Sequence, residues 1–353
     1  SVEGTMSSSP RDSLCAQAMP LASPQGASVE ALVASRVRHA AAPLATWTRR
    51  RTAVLVVAYA AALAGMVLVK GLFISGDRYF LILLVPALAL GLGRAYARDF
   101  LPFVVLILLY EEVRGLAHSL HVAIGYGPFV EPPIWLDRLL FLGSVPPEAV
   151  QRWLWSGDLQ WYDQALALLN RAHFFVPPTL LFLIWLERRD LFYRCAATMV
   201  VVSFAAAVIF LVFPVAPPWR ASERGDLAEL VKIGSAQAAS APVETSRSLI
   251  ADTLLRNPYA AVPSLHTGYS LLTLIFAWTW RRRVGIAFIP YTALMWFTIV
   301  YFADHYVADI LAGIAVAVAG WILVGRALRP GRPLARFAGP FPAPLAGART
   351  FER

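Results

Sequence analysis

The chain has 353 residues, 58% of them hydrophobic and 15% charged, with a mean hydropathy of +0.59. A soluble domain carries about a quarter charged residues, so the composition excludes an ordinary soluble enzyme and points to an integral membrane protein. The formal charge of +9 then marks loops facing the cytoplasm rather than a nucleic-acid surface, and two cysteines, Cys15 and Cys195, make neither a disulfide framework nor a metal motif.

Residues 1–46 are rich in Ser, Ala and Pro and lack the compact apolar core of a signal peptide, which predicts a disordered cytoplasmic tail. Apolar runs near the roughly 20 residues that cross a bilayer follow at Thr52–Phe73, Tyr79–Gly93, Phe100–Ala117, Phe174–Leu186, Cys195–Phe213, Ser264–Trp280, Val284–Ala303 and Tyr306–Val324. The Phe174 run is short and is expected to extend back before His173. Backbone groups in lipid must bond within their own segment, so these runs are helices. The expected fold is all-α: a polytopic bundle of about eight transmembrane helices over residues 47–328, with a second disordered tail at 329–353.

Arginine clusters set the direction. Arg49–Arg51, Arg94 with Arg98, the group Arg188, Arg189 and Arg194, Arg281–Arg283, and Arg326 onward all fall on one side of such a bundle. The positive-inside rule makes that side, and both termini, cytoplasmic. Two long connections remain outside. Residues 119–172 mix Trp135, Trp153, Trp155 and Trp161 with leucines and scattered charge, as interfacial helices do. Residues 221–257 are polar and suggest a mobile outer cap.

Five of the six histidines lie at predicted outer helix ends: His118, His121, His173, His266 and His305. The inner ends are expected to carry only arginines. Ionisable groups near spans are costly and so point to function. His266 belongs to PSLHTG and His305 to DHYVADILAG, the two joined by an apolar hairpin that returns the chain to the same level. His305 and Asp309 are four apart, on one helical face. A histidine held by a carboxylate and facing a second histidine is a nucleophile–base constellation. Ser264 fits an N-cap at a helix start suited to anions. Arg220, after Ala-Pro-Pro and Trp219, suits phosphate oxygens. Arg114 is a second candidate, with a structural pair to Glu111 as its competitor. A metal held by His266, His305, Asp304 and Asp309 is the competing chemistry, and no short-spacing zinc motif supports it.

These two motifs resemble the second and third motifs of the type 2 phosphatidic acid phosphatases, in particular the branch containing the inositol phosphorylceramide synthases (the aureobasidin-resistance proteins). Leu265 stands where the wider family has glycine, as in that branch. LDRLLFLGSVPPEAVQ at Leu136–Gln151 and HFFVPP at His173 share the likeness. The resemblance implies that His305, oriented by Asp309, attacks phosphorus, and that His266 protonates the leaving oxygen and then activates the acceptor. Arg220, Ser264, Arg114 and His173 would contact the phosphate, and no cofactor or metal is needed. The implied substrate is a membrane lipid phosphate, with an inositol-like polyol or water as acceptor. The sequence leaves open a lipid-phosphate binder or transporter without turnover, and it is silent on oligomeric state.

Overall fold

The structure, a computed structural model, describes residues 76–234 and 257–328. The predicted span Thr52–Phe73, both predicted tails and residues 235–256 lie outside the described residues. All described residues belong to one packed unit, and it is helical: α1 Gly76–Ala89, α2 Gly93–Ile124, α3 Glu131–Leu140, α4 Pro146–Leu154, α5 Trp161–Ala172, α6 Val176–Glu187, α7 Arg189–Val212, α8 Pro218–Glu223, α9 Leu265–Trp280, α10 Arg282–Tyr301 and α11 Val307–Ala327. Among the described residues the only β pairing is isolated bridges, Val215 meeting both Phe129 and Ala260.

Three helices, α7, α10 and α11, are long and apolar enough to cross a membrane. A fourth span is available if α5 and α6, bent by 45° at a short break, are taken together. That pair is the backward extension expected of the Phe174 run. The bend has a local cause: Pro177 and Pro178 open α6, where a missing N–H costs nothing, and exclude continuous helix from α5. α2 has the length, with 32 residues, but Glu111, Glu112 and Arg114 interrupt its apolar run. It ends at Gly125, whose φ of 65° is the left-handed cap glycine adopts easily.

The main core joins α1, α2, α6, α7, α9 and α11 through Leu83, Phe100, Trp185, Phe192, Met199, Phe276 and Ala317. Gly320 of α11 lies against Val202 of α7, and a Cβ there would collide with it. Outside this core Leu101, Val105, Leu109 and Leu116 line one exposed face of α2. Such a stripe at helical spacing belongs in lipid.

The helix ends distant from the histidines hold more than arginines. Asp99 is buried and accepts from Arg98 Nε (2.7 Å), Trp185 Nε1 (2.8 Å) and Tyr193 Oη (2.7 Å), with Arg189 at 3.4 Å. This carboxylate ties α2, α6 and α7 together, and burial is tolerable because every partner donates to it.

The connection at 221–257 is also better anchored than a free cap. In its described part the Ala228 N–H donates to Glu148 of α4 (2.7 Å) and the Leu230 N–H to Ser222 (2.8 Å).

Candidate active site

Ser264 caps α9, its Oγ accepting the Thr267 N–H at 3.3 Å. This starts the helix one residue before His266 and puts that imidazole on the first turn. α10 returns to the same level and ends at Tyr301. The link Phe302–Tyr306 then turns the chain into α11. Ile299 O accepts the N–H groups of Asp304 (3.0 Å) and His305 (3.1 Å), which folds the link back onto α10. Asp309, at the third position of α11, accepts the Tyr306 N–H (2.9 Å) and His305 Nδ1 (3.1 Å), both through Oδ2. Its side chain is fully buried.

The two imidazoles meet directly: His266 Nδ1 lies 3.3 Å from His305 Nε2. The network fixes the protons. A carboxylate only accepts, so His305 Nδ1 carries hydrogen and Nε2 presents a lone pair. With His305 neutral, His266 Nδ1 is then the donor. The resting site therefore holds a proton on His266, aimed at the lone pair of His305.

His173 sits at the α5–α6 bend, 5% exposed. Its ring centroid is 4.7 Å from that of His266 and 5.7 Å from that of Tyr269, on which it stacks. Tyr269 is one turn beyond His266, and its hydroxyl meets Ser203 Oγ of α7 at 2.5 Å. His173 Nδ1 is buried without a hydrogen-bond partner. Arg114 lies within electrostatic reach of His266 and Tyr269. Its Nη2 pairs with Glu111 at 2.6 Å, and its Nε is buried without a hydrogen bond. Glu111→Gln should free that guanidinium, and inhibition by inorganic phosphate should tighten about two- to fivefold, the size of a half-exposed ion pair; weaker inhibition in a competition assay would contradict this.

Thus His305, His266, Asp309 and His173 form one cluster with Arg114 beside it. Ser264 is buried beneath it, its N–H donating to Asp309 O at 3.1 Å. Arg220 is one step removed. It pairs with Glu223 (2.7 Å) and lies over Trp219, 4.6 Å from the ring centroid. The neighbouring Trp219 N–H, bonded to Ala303 O at 3.1 Å, and the packing of Ala221 with Tyr306 in one apolar cluster tie this segment to the His305 link. His121 instead bonds Leu211 O (2.7 Å), and His118 lies against Tyr259. Among the described residues no group of three or more histidines, cysteines and carboxylates is arranged to hold a metal ion.

Sequence reasoning missed Gly313, although a glycine two turns into an apolar helix is a visible signal of close approach. A Cβ there would run into the Ser264 carbonyl and press Thr267 Cβ at 3.1 Å. Its absence lets the starts of α9 and α11 touch, which sets the distance between the histidines. Gly313→Val should push them apart and lower kcat by about a hundredfold, with thermal stability and activity measured on the same purified sample; unchanged kcat would remove Gly313 from this role.

A helical membrane protein organised around a carboxylate–imidazole–imidazole relay is the class that fold and site define. Comparison with known proteins narrows it: residues 136–323 match the PAP2 superfamily, and the chain belongs to that family. It is also similar to "Phosphoinositol dihydroceramide synthase" of Bacteroides thetaiotaomicron, 31% identical over 155 residues, or 42% of this chain and 51% of the relative. The match thus spans about half the relative's length. No solved structure matches.

Proposed function

We propose that this protein is a lipid phosphotransferase or phosphatase working through a phosphohistidine, without a metal, at the outer face of the membrane. The observation that carries the reading is the 3.3 Å approach of His266 Nδ1 to His305 Nε2, with Asp309 on the far nitrogen of His305. Membership of the PAP2 superfamily supports it.

In this mechanism a lipid phosphate enters between the two rings and takes the place of their mutual hydrogen bond. The His305 Nε2 lone pair attacks phosphorus as the bond from phosphorus to the leaving oxygen breaks. His266 acts as the imidazolium, protonated on both nitrogens beside the phosphate anion, and its Nδ1 proton passes to that oxygen to leave a neutral ring. Asp309 stabilises the positive charge that forms on His305, and the phosphohistidine remains. An incoming hydroxyl then gives its proton to the vacated His266 Nδ1 and attacks phosphorus, which frees His305. Arg114 and Arg220, with the α9 start behind Ser264, balance charge on the oxygens that do not react. His173 offers its unpartnered Nδ1 to the substrate.

If the acceptor is water the reaction is phosphatase chemistry. If it is a hydroxyl, a phosphoryl or phosphoalcohol group is transferred. The relative's name joins phosphoinositol to a dihydroceramide, which favours transfer. The arginine clusters support eight spans with both termini cytoplasmic and the histidines outside.

The test uses purified full-length protein in mixed micelles, supplied in turn with phosphatidic acid, phosphatidylinositol plus a dihydroceramide, and phosphatidylinositol plus free inositol. Product identity separates hydrolysis from transfer. Binding without any product would replace the enzyme with a lipid-phosphate binder.

A further inference from the structure

The stretch Leu136–Gln151 stands out in the sequence, yet the chemistry above leaves it unused. Its two helices, α3 and α4, each send one buried polar side chain to the link that carries His305. Asp137 is fully buried and accepts the N–H groups of Val307 (3.2 Å) and Ala308 (2.8 Å). These open α11, where no carbonyl of the helix can take them, and Asp309 is the next residue. Before the link, Gln151 Nε2 donates to the carbonyls of Tyr301 (2.8 Å) and Val231 (2.7 Å), and Oε1 accepts the Val231 N–H (2.9 Å). Tyr301 is the last residue of α10.

Only Phe302–Tyr306 lies between these anchors. Within it Ala303 has a φ of 58°, a conformation that a residue with a Cβ adopts reluctantly. A short link in an unfavourable shape, tied at its first and last turns by side chains from one amphipathic pair, keeps its geometry only while both ties hold.

We propose that Asp137 and Gln151 are positioning residues, through which α3 and α4 bracket the link and set His305 against His266. The inference rests on the phosphohistidine reading above. A carboxylate suits the α11 end, since it serves two N–H groups at once and opposes the positive end of the helix. Burial pushes Asp137 up to about 6, the N–H groups of Ala308 and Val307 pull against this, and Asp309 adds to the rise. Each of the two Asp137 oxygens accepts one N–H, as a carboxylate does. Tyr306 shares this neighbourhood and feels Asp309, Asp137, Asp226 and Glu148.

The experiment compares Asp137→Asn, Asp137→Ala and Gln151→Leu with wild type as full-length detergent-purified proteins. One readout is kcat and KM on phosphatidylinositol in mixed micelles. The other is the rate at which diethylpyrocarbonate modifies His305, followed by mass spectrometry across pH, which needs no turnover. Asp137→Ala and Gln151→Leu should lower kcat by about tenfold to a hundredfold with KM little changed, and should alter the His305 modification rate. Asp137→Asn keeps one acceptor oxygen and should restore part of the loss. Its His305 modification rate should likewise fall between those of wild type and Asp137→Ala.

A melting temperature that falls while the His305 profile stays at wild type in all three variants would overturn the proposal. If Asp137→Ala does not fold, Asp137→Asn and Gln151→Leu decide it. Absence of turnover in wild type would count against the functional reading alone, since the modification profile still answers the positioning question.

Discussion

Replacement of His305 by alanine is expected to abolish the covalent phosphoenzyme and to lower kcat by about ten-thousandfold or more, as for other nucleophiles that act as part of a unit. Nothing else in the cluster can take its place. His266 points its donor nitrogen at His305, and His173 reaches His266 rather than the Asp309 side. The check is acid-stopped trapping of label from a lipid carrying radioactive phosphate. Label that persists on the His305→Ala protein would move the nucleophile elsewhere, and His266→Ala separates the two roles. Without its proton donor the enzyme should still form the adduct from a donor with a good leaving group, because His305 keeps its lone pair and its carboxylate.

The second large effect belongs to Asp309, and here two substitutions should differ. Asp309→Ala removes the acceptor of both His305 Nδ1 and the Tyr306 N–H. His305 is then free to change tautomer and to turn, and a loss of about a thousandfold or more in kcat is expected. Asp309→Asn should cost less. Both donors converge on the single oxygen Oδ2, so an amide oxygen placed there preserves the tautomer and gives up only the charge. Charge-assisted bonds are about twice as strong as neutral ones, which puts the loss nearer tenfold to a hundredfold. The amide nitrogen would fall where Oδ1 is now buried without a partner, so Asp309→Asn should melt at a lower temperature than wild type. Equal kcat losses for the two variants would show that the charge, not the tautomer, matters.

The part of the site legible in the sequence is the part written at helical spacing. The four-residue step from His305 to Asp309 and the Ser264 cap ahead of His266 pointed to who meets whom, although His305 lies in the link before α11 and not on its face, and the apolar hairpin between the motifs pointed to a shared level. The Glu111–Arg114 pair was legible for the same reason. Arg220 was harder, because its partner Glu223 appears only once residues 218–223 coil into a turn of helix that reads as loop. The contacts of Asp137 and Gln151 were out of reach altogether. Their partners lie 80 to 171 residues away, and no periodicity links a side chain to a backbone group at that distance. The helical class was plain from composition, whereas the bend before α6 was half visible, its proline pair marking where a helix starts but not the 45° angle.

The contact between the two imidazoles is too narrow to admit a phosphorus atom with its oxygens. In the proposed mechanism each catalytic cycle must therefore prise the rings apart and let them close again. In the closed state the nucleophile is covered by its own acid, so small electrophiles and stray water reach its lone pair only in the moments when the rings part. Reactivity would be switched on only by a guest wide enough to wedge the gap open, which makes the lipid its own key.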